Sequence, residues 1–351
     1  MHIPYSRAWI IPEDRACVDI LLAGGRVSQG AVTRQFEDAL CAFVGAGEGG
    51  GVAFASGVSA LTAALLALEV GPKDEIILPS YICQEVTDAV LSSGARPVFS
   101  DTGQHWVVTA DDVRPYVHPA TRAIIVPHLF GIYADIAPFR AFGIPIIEDC
   151  AQAVGQSPDW QIAGDIAVFS FRWSKCLTTG EGGMAVTKDP QLLKWLRAIR
   201  DGSDRPGRRI AAPLSDIASA LGLSQLSRYP SFLDRRRQIA ERYKQSLDAI
   251  SPSMLADIPF HRSMFYRLPI KVNGGWSSHH EKFLARGISV DPGIPVLQHR
   301  FFCLPDNLYP TSIELLDQTI VLPIFPNLTL EELIYCLENV GEILSQLHLQ
   351  I

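Results

Sequence analysis

From about residue 50 the chain alternates short, wholly apolar runs with stretches whose apolar positions recur at helical spacing. Residues 51–55 read as a strand, and 59–70 as a helix rich in Ala and Leu that Gly71-Pro72 stops. Residues 75–78 form the next strand, ending at Pro79, and 84–93 a helix closed by Gly94. Further strands follow at 96–100, 123–127, 144–149 and 166–171. Because these runs are apolar throughout and do not alternate, both faces of each strand must be covered. That pattern predicts an α/β fold, with a mainly parallel sheet flanked by helices. Ligands in such sheets bind beyond the carboxyl ends of the strands. Ser80, Asp149 and Ser170 stand at such ends.

The second half changes character. Residues 201–213 are polar, with Gly and Arg, and read as a loop. Helices are expected at 215–226 and 232–250, and strands at 265–272 and 288–290. The apolar positions of 330–347 describe a terminal helix, with Thr329 as N-cap and Glu332 closing a capping box. The expected division is a large lobe over 1–229, including an N-terminal arm, and a smaller C-terminal α+β domain over 230–351.

Composition narrows the function. At 351 residues, the chain is long for a single core. Hydrophobic residues make up 48% and charged residues 19%, an ordinary globular balance. The net charge of -7 argues against a nucleic-acid footprint, and the densest basic cluster, Arg235-Arg236-Arg237, reads as a solvated helix face. No segment approaches the ~20 apolar residues of a membrane span, and Met1 to Arg7 do not read as a leader. The seven cysteines are scattered without a CxxC pair, so reduced thiols in a cytoplasmic protein are expected and no metal site is assigned.

Four local features can carry chemistry. Ser56-Gly57-Val58-Ser59-Ala60 joins a strand to a helix, and a helix start suits a phosphate, although most such turns are only turns. Glu148-Asp149 ends an apolar strand, where a carboxylate can hold a cationic ring nitrogen, hold a metal or simply cap a helix. Lys175 follows a buried strand, where desolvation can make a lysine amine nucleophilic; a surface lysine is the plainer alternative. Thr178-Thr179-Gly180-Glu181-Gly182-Gly183 comes next, either a backbone turn beside a ligand or a plain hairpin. Their order is more informative than any one of them. A phosphate-type turn, a strand-end acid, a Ser five residues before a Lys and a Gly-rich turn are laid out as in aspartate-aminotransferase-like enzymes that use pyridoxal 5'-phosphate (PLP).

Across nearly its whole length the chain resembles the DegT/DnrJ/EryC1/StrS family of sugar aminotransferases. The matching residues include Gly71-Pro72-Lys73-Asp74, Pro127-His128-Leu129-Phe130-Gly131, Glu148 to Gly155, Gly164-Asp165, Phe169-Ser170-Phe171, Lys175 and Thr179 to Gly183. The resemblance implies the fold type I PLP-transferase architecture and a set of roles. Lys175 would carry the cofactor and move a proton. Asp149 would pair with the ring nitrogen, and Gln152 would lie near the ring hydroxyl. Ser170 would bind the phosphate beside Gly57, Val58 and Ser59, and Cys83 would lie against the ring. The amino donor would be Glu or Gln, and the acceptor a keto sugar, usually nucleotide-linked. A cytoplasmic homodimer with shared active sites would follow. Tyr81, His128 and His299 are candidates for facing the substrate.

The chain also departs from the family. Val58 stands where Thr is usual, Cys83 where an aromatic often stacks on the ring, and Ala211 where many members have Asn; Arg208 or Arg209 can supply charge instead. Three rivals remain. A PLP-dependent sugar dehydratase of this family has His in place of the lysine that is present here. A non-catalytic scaffold or regulator would not need Lys175, Asp149, Gln152 and Ser170. A nucleotide-binding oxidoreductase lacks its GxGxxG signature.

Overall fold

The structure, a computed structural model, describes residues 1–155, 161–202, 209–251, 254–255 and 258–348. Two helices open the chain, α1 (Pro12–Gly24) and α2 (Ala31–Phe43). Then come β1 (Gly51–Phe54), α3 (Gly57–Ala67), β2 (Glu75–Pro79), α4 (Gln84–Ser92), β3 (Arg96–Ser100) and the short α5 (Ala110–Val113). Next are β4 (Thr121–Pro127), β5 (Ile146–Asp149), β6 (Ile166–Ser170), β7 (Gly183–Val186) and α6 (Pro190–Asp201). The remainder holds α7 (Asp216–Asp248), β8 (Leu268–Lys271), α8 (Gly275–Ala285), α9 (Pro310–Gln318), β9 (Thr319–Leu322) and α10 (Leu330–His348).

The first seven strands form one sheet in the order β1-β7-β6-β5-β4-β2-β3. All neighbouring pairs are parallel except those of β7, which runs antiparallel to β1 and to β6. The apolar runs follow from this arrangement. On β2, Ile76 and Leu78 enter one core while Ile77 enters the opposite one; on β4, Ile125 opposes Ile124 and Val126. With helices on both faces, no position on these strands can be polar without a partner. A separate two-stranded antiparallel sheet, β8-β9, packs on α10 around Leu268, Ile320 and Leu333.

Several expectations change. Residues 215–250 hold one helix, α7, which runs through Pro230. Proline removes a helical N–H and clashes with the preceding turn. Here Tyr229, Phe232 and Leu233 are buried on either side of it and hold the helix in register. The Arg235-Arg236-Arg237 triplet is not wholly solvated. Arg236 is buried, and its Nη1 donates to the carbonyls of Phe265, Tyr266 and Ile324. It thereby ties α7 to the segment that leads into β8. The strand expected at 288–290 is reduced to a bridge between Ile288 and Ile3, and that expected at 265–272 to the four residues of β8. The capping box at α10 forms as read: the Thr329 N–H donates to Glu332, and the Glu332 N–H to the Thr329 hydroxyl.

Helix α1 is fastened to α7 by a buried carboxylate. Asp14 accepts from the Ile11 N–H, Ser224, Gln225 and Arg228. Burial alone would raise its pKa, but these donors and the Arg228 charge outweigh burial and hold it below the usual carboxylate value.

Candidate functional site

The carboxyl ends of β1, β5 and β6 open on one cavity of about 670 Å³. Three of its walls come from features that sequence singles out. At the first, Ser56 caps α3, its hydroxyl accepting from the Ser59 N–H at 3.0 Å. Gly57 and Val58 line the cavity at the helix start, where N–H groups lack intrahelical partners. A side chain cannot be accommodated at Gly57, because its Cβ would stand 2.9 Å from the Cβ of Ser170. A Cβ on Gly183 would stand 2.6 Å from the Gly57 nitrogen. Small residues at both positions let the turn, the end of β6 and the start of β7 close on one another.

At the second wall Asp149 ends β5, buried to 7% exposure. It caps no helix; one oxygen accepts from the Ala151 N–H at 3.0 Å. Burial raises its pKa above the ordinary carboxylate value, although the Ala151 N–H and the charges of Lys175 and His128 partly offset it. A carboxylate in this condition favours a cation beside it. Cys83, at the start of α4, lines the same wall, and burial pushes its thiol up to about 12, with Asp149 adding to the effect. It is a neutral packing group, not a thiolate. Gln152 also lines the cavity; its side-chain oxygen accepts from the Phe130 N–H at 2.7 Å, which orients the amide.

At the third wall Ser170, 8% exposed, ends β6, and Lys175 stands in the connection from β6 to β7. The Lys175 Nζ lies 5.3 Å from the ring centre of Tyr266. The Gly-rich stretch Thr179 to Gly183 completes that connection, and Glu181 lines the cavity. The segment after α6 runs beside the first wall, with the Ala55 N–H donating to the Ala212 carbonyl at 2.7 Å and Ala211 exposed. Arg208 lies outside the described residues.

Lys175, Asp149, Gln152, Ser170, Gly57, Val58 and Cys83 are thus brought to one cavity. Ser59 is not at its surface; its hydroxyl is bonded to that of Ser56 at 2.9 Å. The three substrate candidates also lie elsewhere. His128 is fully buried, with Nε2 on Glu148 at 2.8 Å and Nδ1 accepting from the Ala134 N–H at 3.1 Å. It braces the strand end beneath Asp149. His299 is fully buried between Ser80 and Asp306, stacked on Tyr309 at 3.9 Å. Tyr81 is 1% exposed and packs in the core against the smaller sheet.

In their place the cavity takes residues that the sequence did not mark as facing it. Tyr5 comes from the N-terminal arm, Tyr266 and Arg267 from the approach to β8, and Asp291 from the stretch beyond α8. Burial would raise the Tyr266 pKa, but the charges of Arg267 and Lys175 outweigh it and hold the phenol below its usual value. At the mouth Arg172 pairs with Glu85 at 3.0 Å, both side chains about half exposed.

The sequence pattern of the DegT/DnrJ/EryC1/StrS aminotransferase family matches residues 10–341. A UDP-N-acetyl-3-dehydro-alpha-D-glucosamine 3-aminotransferase of Acidithiobacillus ferrooxidans is 32% identical over 301 residues, 81% of each chain. The aminotransferase TlmJ of Streptoalloteichus hindustanus superimposes with a TM-score of 0.89 at 27% identity, over 98% of this chain and 99% of that one. The PLP form of the sugar aminotransferase Spr1654 of Streptococcus pneumoniae, described as putative, gives 0.90 at 25% identity, over 99% and 100%.

Proposed function

The chain belongs to the DegT/DnrJ/EryC1/StrS aminotransferase family, and from that premise we propose which residues hold its cofactor and which substrates it joins. It is a PLP-dependent aminotransferase acting on sugars. The residues around the cavity fit PLP. A buried strand-end carboxylate that favours a cation, a hydroxyl facing a helix start and a lysine amine share one enclosure. That enclosure is the observation that carries the reading.

In this reading Lys175 holds the cofactor, and Asp149 keeps the ring nitrogen protonated. The Ser170 hydroxyl and the first N–H groups of α3, at Gly57 and Val58, take the phosphate. A backbone donor does not depend on the side chain, so Val58 serves where the family usually has Thr. Gln152 reaches the ring hydroxyl, and Cys83 packs on the ring with less contact area than an aromatic would give. When bound, PLP would supply an electron sink and carry the amino group between the two substrates. The Lys175 Nζ takes the proton from the α-carbon of the donor and delivers one to the sugar carbon that gains the amine.

The donor is glutamate or glutamine, and the acceptor a keto group of a nucleotide-linked sugar. The relative from A. ferrooxidans supports a UDP-linked 3-keto amino sugar as the first acceptor to try. Purified protein loaded with PLP should lose its visible band on addition of glutamate or glutamine and regain it when the keto sugar is supplied. Mass spectrometry of the product then identifies the acceptor. A band that neither donor changes would remove the transaminase assignment.

A second copy of the chain is expected to cover the cavity mouth, making a homodimer. Phe301 and Val296 line the cavity yet are 54% and 38% exposed, and Trp173 near Lys175 is 49% exposed. An apolar rim of this kind marks a contact surface. Light scattering should give twice the chain mass, and a monomer at micromolar concentration would refute the shared-site arrangement. Among the described residues no helix is long and apolar enough to cross a membrane.

A further inference from the structure

Arg267 is 7% exposed, and it lines the cavity. Its guanidinium lies 4.7 Å from the ring centre of Tyr5 and 4.4 Å from that of Tyr266. Two aromatic rings against the guanidinium leave its in-plane N–H groups as the route to a partner. Nη2 donates to the Tyr266 hydroxyl at 3.2 Å. Nη1 is buried without a hydrogen-bond partner among the described residues. Leaving a buried charged donor unpaired is costly, so the position calls for an acceptor from outside the chain.

We infer that Arg267 anchors an oxyanion of the substrate, the carboxylate of the amino donor, against the rings of Tyr5 and Tyr266. This rests on the aminotransferase reading and adds to it the group that selects the donor. The placement favours a carboxylate bound deep in the cavity. Tyr266 lies next to both Arg267 and the Lys175 Nζ, so an amino acid whose amine is directed at the reacting centre has its carboxylate on the Arg267 side. A planar carboxylate matches the fork of a guanidinium. Arg172, at the exposed mouth, is better placed for the diphosphate of a sugar nucleotide, which must extend toward solvent. Asp291 lines the same wall, and its burial raises its pKa, with the Gly293 N–H and the Arg267 charge acting against the rise.

The test compares PLP-loaded wild type with Arg267→Met and Arg267→Lys. Calorimetric titration uses glutarate, which carries carboxylates but neither amine nor ketone, and separately UDP. Arg267→Met should bind glutarate about ten- to a hundredfold more weakly, the loss of a charge-assisted hydrogen bond. Arg267→Lys should fall between the two, because it restores charge without the fork. UDP binding should be unchanged. In single turnovers, bleaching of the visible band by glutamate should need correspondingly higher concentrations, with little change in limiting rate. Unchanged glutarate binding in Arg267→Met would overturn the inference. Weaker UDP binding with unchanged glutarate binding would instead give the subsite to a phosphate oxygen. A normal visible band in both variants shows that the fold and the cofactor site survive. A wild type that forms no band sinks the aminotransferase reading itself, a result separate from the glutarate titration, which needs no band.

Discussion

Replacing Lys175 with alanine is expected to lower transamination by about 10⁴-fold or more and to remove the visible band of the lysine-bound cofactor. Lys175 reaches the cavity from the connection between β6 and β7, beside Asp149, Ser170 and Tyr266. In the proposed arrangement two functions would be lost together, the covalent hold and the base that moves a proton at the donor carbon and, separately, at the sugar carbon. The remaining contacts do not depend on it. The hydroxyl of Ser170, the start of α3 and the carboxylate of Asp149 should still retain PLP, seen as a shifted spectrum and protection from thermal unfolding. A variant that turns over at more than about one-hundredth of the wild-type rate would exclude Lys175 as the base.

The second large effect is expected at Asp149. Asp149→Asn keeps the shape and removes the charge, so in the proposed arrangement the ring nitrogen would lose the partner that keeps it protonated. Losing one member of a buried charge pair costs about 3–5 kcal/mol, or roughly 10²- to 5 × 10³-fold in rate if the whole loss falls on the transition state. The same residue predicts an opposite effect on the cofactor-free protein. Burial raises the folded-state pKa of Asp149, against the smaller opposing effects of the Ala151 N–H, Lys175 and His128. A carboxyl whose pKa is higher folded than unfolded favours the folded state at low pH, and that advantage is lost as pH rises through the folded value. The cofactor-free wild type therefore carries an unfavourable buried charge at neutral pH. Asp149→Asn should melt higher than wild type there, and the difference should shrink as pH falls into the ordinary carboxylate range. Paired thermal melts across pH check this. A cofactor-free variant less stable than wild type at neutral pH would mean that its charge is already compensated by the protein.

The central sheet was readable because its strands are covered on both faces. Continuous apolar runs such as 123–127 admit few other placements, and β2, β3, β4 and β6 fall within a residue or two of the expected bounds. β7 was missed because Gly183 to Val186 is short and opens with the end of a Gly-rich turn. α1 carries a weak apolar stripe, with Ile20 and Leu22 exposed, so its periodicity gave little signal. α7 was divided at Pro230 because a local rule marks proline as a stop, while long-range packing of Tyr229 and Phe232 overrides it. Tyr81, His128 and His299 do not line the cavity, and sequence could not show this for a related reason. A histidine or tyrosine near a strand end reads the same whether it faces a cavity or a buried acid, and His128 faces Glu148.

By itself, the order of residues along this chain determined the parallel sheet, the strand ends that carry Asp149 and Ser170, and the lysine that follows them. Those features are local: a strand end, a turn and the residues a few positions on are held together by the backbone. Tertiary structure decided which distant segments face them. Tyr5, Tyr266, Arg267 and Asp291 are separated from Lys175 by about 90 to 170 residues, and nothing local aims their side chains at it. What makes Arg267 informative is the pair of rings beside its guanidinium and the missing partner of its Nη1. Burial and pairing depend on what surrounds a side chain, and for this wall of the cavity the surroundings come together only when the chain folds.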